Sequence, residues 1–201
     1  RYRLALTARA GAATVTKAAD AIVDRTVTGL QESLAAISPN GDGVNDTVSL
    51  SFTLTADVGV RVDVEQILPG LPPAIMATLF QGLPGIGAHT IDWDGTSNGL
   101  RLPDGRYAVI VTATDLLGDV QQSLPLSIDT VAPVLTLVDA RTLAFTLSEP
   151  ATVTVLVNQR TRIVASEPAG SFRVPFTGTV AQLSAQAQDA AGNSSPLLLS
   201  P

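Results

Sequence analysis

Apolar and small polar residues alternate along much of the chain, as in Val48-Ser49-Leu50-Ser51-Phe52-Thr53-Leu54, Val60-Arg61-Val62-Asp63-Val64 and Thr152-Val153-Thr154-Val155-Leu156-Val157. A period of two that is rich in Val and Thr predicts strands with one face buried. Between these runs lie Pro39-Asn40-Gly41-Asp42-Gly43, Trp93-Asp94-Gly95, Pro103-Asp104-Gly105 and Ala190-Ala191-Gly192-Asn193. Their residues supply a positive or a preset φ, so they predict tight connections. The 13 prolines and 16 glycines are spread along the chain and work against long helices. Gly29 to Ile37 is the segment with room for a helical turn or two, and it reads equally as a linker.

Sliding the chain on itself reveals repeats. Arg1-Tyr2-Arg3-Leu4-Ala5-Leu6-Thr7-Ala8 lies over Arg106-Tyr107-Ala108-Val109-Ile110-Val111-Thr112-Ala113, and the same offset brings Val23-Asp24 onto Ile128-Asp129. Phe52-Thr53-Leu54-Thr55 with Val60, Val62 and Val64 lies over Phe145-Thr146-Leu147-Ser148 with Val153, Val155 and Val157. His89 to Gly95 falls on Phe172 to Gly178, and Thr112 to Asp115 falls on Gln186 to Asp189. The pattern predicts copies of one unit, the first represented by its tail. Residues 1–28 are then terminal strands of a preceding unit, 29–37 a linker, 38–130 one module and 131–201 another. The module sizes suit antiparallel sandwiches. The apolar face of the first segment, Leu4, Leu6 and Ala8 with Tyr2 in line, needs a cover, because an isolated two-stranded hairpin is marginal in water.

The string Ser38-Pro39-Asn40-Gly41-Asp42-Gly43-Val44-Asn45-Asp46 before an alternating strand resembles the opening of two related groups. These are the gliding-motility-associated C-terminal modules and the immunoglobulin-like module of the flagellar hook-capping protein family. The run from Gly87 through His89 to Trp93-Asp94-Gly95, and the strand entry Pro103-Asp104-Gly105-Arg106-Tyr107, continue the resemblance over 38–128. Residues 133–201 resemble bacterial immunoglobulin-like repeats that open Asp-Thr-x-Ala-Pro and close Asp-x-x-Gly-Asn. The resemblance implies an all-β chain of tandem immunoglobulin-like antiparallel β-sandwiches from an extracellular or cell-surface bacterial protein. It also implies protein partners or self-assembly on the cell envelope.

Candidate chemistry is sparse. Asn40, Asp42, Asn45 and Asp46 place hard oxygen donors in one Gly-rich turn, which makes them candidate Ca²⁺ ligands. The alternative is that Asp42 and Asp46 cap backbone amides in an Asx-rich turn. A dockerin-type EF-hand loop does not fit, since Ser38 would take the first ligand position, Ser49 the twelfth, and a strand follows in place of a helix. Trp93 alternates with Ile91 and reads as a core residue between sheets, with a sugar-stacking platform as its rival reading. His89 falls on the same face. Asp92, Asp94, Asp104, Asp115 and Asp119 all sit in or beside turn signals, and solvated turn acids explain them without a glycosidase pair.

Composition narrows the function further. The chain has no cysteine, one histidine (His89) and a single lysine (Lys17), so thiol, Schiff-base and histidine-relay chemistry have few candidates. A net charge of −6, from 18 acids against 12 bases, disfavours a phosphate-tracking surface and hence nucleic acid. No apolar run approaches the ~18 to 20 residues of a membrane span. The expectation is a non-catalytic spacer, assembly or interaction region of a large secreted or surface protein. The alternatives are an accessory region of a secreted enzyme whose catalytic domain lies outside this chain, and a secretion or anchoring module.

Overall fold

The computed structural model describes residues 2–21, 25–116 and 118–200, and it is all-β. A hairpin of β1 (Tyr2–Ala10) and β2 (Ala13–Ala21) comes first. The next strands are β3 (Val27–Glu32), β4 (Ala36–Ile37), β5 (Val48–Leu54), β6 (Gly59–Gln66), β7 (Ala74–Gly82) and β8 (Gly87–Trp93). The short β9 (Thr96–Ser97) and β10 (Leu100–Arg101) pair with each other, and the long β11 (Gly105–Asp115) and β12 (Gly118–Ile128) form a hairpin. The remaining strands are β13 (Leu135–Asp139), β14 (Ala144–Leu147), β15 (Ala151–Val157), β16 (Thr161–Glu167), β17 (Gly170–Arg173), β18 (Leu183–Gln188) and β19 (Leu198–Ser200).

Strands β3 to β12 build one immunoglobulin-like sandwich. One sheet runs β3-β5-β8, and the facing sheet runs β4-β12-β11-β6-β7. Strands β13 to β19 build a second sandwich from β13-β14-β17 and β16-β15-β18-β19. The repeats seen in the sequence become equivalent strands: β5 and β14 each lie at the centre of a three-stranded sheet, and β6 and β15 each pair with the hairpin strand β11 or β18. The alternation explains the burial. Val48, Leu50, Phe52 and Leu54 on β5 point inward against Val60, Val62 and Val64 on β6 and Tyr107, Val109 and Val111 on β11, all buried in one core. Phe145, Val153, Val155, Val157, Leu183 and Ala185 form the corresponding core of the second sandwich. Each strand thus contributes alternate side chains to the space between its two sheets.

Residues 29–37, expected as a linker or a short helix, instead belong to the first sandwich. Val27 and Ile37 lie in its core, β3 pairs antiparallel with β5, and β4 adds a parallel step to β12. The period of two is hidden there because the β3–β5 register shifts between Thr28 and Gln31, around Gly29 at φ +66°. A bulge places two residues opposite one and slips the alternation out of phase. The Val23-Asp24 end of the first repeat lies outside the described residues.

Trp93 closes β8 with 4% of its surface exposed, and its indole N–H donates to the Thr96 carbonyl at 2.8 Å. His89 is half-buried on the same face, 5.4 Å from the Phe52 ring, with Nε2 2.9 Å from the Gly85 carbonyl. Trp93→Ala is expected to cost ~3 to 5 kcal/mol, the range for truncating a buried large aromatic. Hydrogen exchange during urea unfolding should show β5, β6 and β11 opening earlier while β14, β15 and β18 keep their protection.

Candidate functional site

The sequence motifs meet at one end of the first sandwich, where it joins the second. The turn from Ser38 to Asp46 is held by its own side chains. Asp46 accepts the Gly41 and Gly43 amides, each at 2.8 Å, with one carboxylate oxygen apiece. Asp42 Oδ1 accepts the Val44 amide, and Asn40 Oδ1 accepts the Asp42 amide. Ser38 closes the loop by donating its amide to the Asn45 carbonyl. Hydrogen bonds to the ionised form pull the Asp46 pKa below the ordinary carboxylate value, the Gly41 amide most, then the Gly43 amide. Of the four candidate calcium ligands, Asn40, Asp42 and Asp46 thus serve as hydrogen-bonding caps of the turn. Asn45 supplies a left-handed residue, at φ 53°.

The other motifs brace that turn. Gly95 sits at φ +75°, and a Cβ there would stand 2.8 Å from Pro39 Cγ, so the Trp-Asp-Gly turn presses its backbone against the Ser-Pro-Asn-Gly turn. Tyr107, buried at the start of β11, donates its hydroxyl to the Pro103 carbonyl at 2.6 Å, as a tyrosine corner does. Burial raises the Tyr107 pKa and Asp104 raises it further, which keeps the phenol a donor. Asp104 in turn accepts the Thr130 amide and hydroxyl, which fixes the segment that leaves β12.

The second sandwich enters through Ala190-Ala191-Gly192-Asn193. Asn193 is buried, and its carboxamide is fully engaged. Nδ2 donates to the Asp129 carbonyl at 2.9 Å and to Asp189 Oδ2 at 2.8 Å, while Oδ1 accepts the Ser38 hydroxyl at 2.5 Å and Asn40 Nδ2 at 3.5 Å. Beside it, Gly192 lies at φ +94°, where a Cβ would stand 2.8 Å from both Val44 Cγ1 and Asn45 Nδ2. The two loops therefore touch backbone to side chain, with no space for a methyl group between them.

At the same joint Asp129, Glu149 and Asp189 bring carboxylate oxygens within 4.8 Å of one another. They come from the connecting segment, the β14–β15 turn and the end of β18. Such spacing matches oxygen donors around one hard cation and, between like charges, is repulsive. Burial raises the Glu149 pKa first, and the charges of Asp129 and Asp189 add to it. Sequence reasoning did not single out Ser38, Gly192, Asn193 or this triad as a site. Asp129 and Asp189 each open one of the two motifs that mark the second module, but nothing in their spacing along the chain signals that they meet.

Of the turn acids, Asp92 accepts the Ser49 hydroxyl, Asp94 accepts the Thr96 amide, and Asp119 accepts the Thr114 hydroxyl. An open groove of about 590 Å³ lies on the outer face of the five-stranded sheet. Its buried acid, Asp63, is paired with Arg61 at 2.8 Å and accepts the Thr78 hydroxyl at 2.6 Å.

No protein-family profile matches the chain, and no curated protein matches it in sequence. Among solved structures, the fibronectin(III)-like modules of Clostridium thermocellum CbhA are similar at a TM-score of 0.44 and 13% identity. That match covers 86% of this chain and 90% of theirs. The Pseudomonas aeruginosa CupB2 chaperone is similar at a TM-score of 0.34 and 10% identity, over 85% and 97%.

The triad has a pH signature. With its folded pKa raised, Glu149 favours the folded state fully only while protonated, and that contribution is lost as pH rises through the folded value. At neutral pH its charge opposes folding, so Glu149→Gln should raise the melting temperature there. The gain is expected within about 1 kcal/mol, the scale of solvent-screened charge interactions. It should vanish when both proteins are melted at a pH below the ordinary glutamate range.

Proposed function

We propose that this chain is a non-catalytic structural region of a large secreted or cell-surface bacterial protein, in which tandem sandwiches serve as spacers of fixed relative orientation. The observation that carries the reading is the Asn193 carboxamide, which joins Ser38 of one sandwich, Asp189 of the other and the Asp129 carbonyl between them. A flexible tether would leave these polar groups to water. Here the Ser38 and Asn193 side chains are buried and all of these groups are paired, and a buried polar group that loses its partner costs about 1 to 3 kcal/mol. The motifs that could be read as chemistry are hydrogen-bonded into this joint or into neighbouring turns. The extracellular setting and the protein partners belong to the same proposal. They rest on the resemblance of 38–128 to secreted bacterial modules.

With no native cysteine, spin labels at Ser123→Cys on β12 and Arg162→Cys on β16 can report the distance between the sandwiches. One narrow distance population is expected, in chelator as in millimolar Ca²⁺, because the lock is protein to protein. Gly192→Val should broaden it, since a side chain cannot fit against Val44 and Asn45. A distribution broad in the unaltered joint would overturn the spacer reading. Narrowing only with Ca²⁺ would give the joint to a cation at the 40–46 turn or at the carboxylate triad.

A further inference from the structure

The hairpin β1–β2 is built to the same register as β11–β12. Tyr2 pairs with Ala21 as Tyr107 pairs with Leu126, Leu4 with Ala19 as Val109 with Leu124, Ala8 with Val15 as Ala113 with Val120, and Ala10 with Ala13 as Asp115 with Gly118. One offset along the chain relates every pair, from the open end to the turn. The side chains at the matching positions differ sharply in environment. Val109 and Val111 are 0% exposed, whereas Leu4 is 63% and Leu6 77% exposed, and Val15 is 62% exposed where Val120 packs against a core.

What covers the later hairpin is visible in this chain. The free edge of β11 carries β6, paired antiparallel from Tyr107–Gln66 to Thr114–Gly59, and the apolar face of β11 lies on the sheet containing β5. Among the described residues β1 pairs with β2 alone. A long, flat strand edge with large apolar side chains beside it is a surface made for pairing. In both complete sandwiches the three-stranded sheet and the strand beside the hairpin, β3 to β8 or β13 to β17, precede the closing strands in the sequence.

We infer that residues 2–21 are an acceptor surface for a half-sandwich of this protein's own repeat type, supplied by sequence on the N-terminal side. A strand patterned like β6, with a small residue and alternating valines, pairs with β1, and a three-stranded sheet covers Leu4 and Leu6. The occupant is specified by the repeat: it is the equivalent of residues 27–93. A second copy of the chain is the rival occupant, and its β6 is already paired on both sides, with β11 and β7.

Hydrogen exchange separates the two. Peptides spanning residues 2–10 should exchange fast in the 201-residue chain at both low and high concentration, with the chain monomeric by light scattering. In the full-length protein the same peptides should be protected to the level of those spanning 107–113. Leu6→Asp in the full-length protein should abolish that protection, while Ala5→Asp on the opposite alternation should retain it, and peptides from β11 should be unchanged in both variants. Fast exchange of residues 2–10 in the full-length protein would overturn the inference. So would concentration-dependent protection in the 201-residue chain that Leu6→Asp removes, because the occupant would then be a second copy.

Discussion

The structure turns on one buried carboxamide. Asn193 has two donors and two acceptor sites to satisfy away from water, and the joint meets that demand with groups from three separate parts of the chain. Asp189, on the same loop, fixes the side chain through both its amide and its carboxamide. The Asp129 carbonyl and the Ser38 hydroxyl are then brought to where the remaining bonds can form. The relative placement of two sandwiches follows from satisfying one side chain.

The same constraint gives the glycine-rich motifs a common reason. Ser38 reaches Asn193 only if the turn to Asp46 holds its shape, and Asp46 sets that shape by gathering two amides. Pro39 is backed by Gly95, the end of the Trp-Asp-Gly run whose tryptophan is anchored in the core. Asp104 and Tyr107 fix the exit strand and the segment that follows it. Motifs scattered between residues 38 and 107 are therefore parts of one end of one sandwich. The carboxylate triad is the strained element there, since three like charges converge where the polar lock has placed their backbones.

Much of the fold was legible because strands with one buried face write their geometry into the sequence every second residue. The repeats over Phe52 and Phe145, and over Val60 and Val153, identified equivalent strands correctly. The failure at 29–37 has a local cause: the bulge at Gly29 and the two-residue β4 leave no run long enough to show a period. The turn at 40–46 was visible as a cluster of oxygen donors, and both a cation and backbone capping could be read from it. The hydrogen-bond directions of Asp42 and Asp46, which bear on that choice, exist only in three dimensions. The joint was not legible at all as a site. Ser38, Asp129, Glu149, Asp189 and Asn193 are brought together by two sandwich topologies, and no local spacing announces their meeting.

A polar lock between the two sandwiches requires Asn193 to stabilise a sandwich other than its own. Trp93 is the sole tryptophan and lies in the first sandwich, so its fluorescence during denaturant unfolding reports that sandwich alone. Asn193→Ala should lower the unfolding free energy read by Trp93 by about 1 to 3 kcal/mol, because the buried Ser38 hydroxyl loses its acceptor. A Trp93 transition unmoved by Asn193→Ala would contradict the account, since the two sandwiches would then be independent units joined by a passive linker.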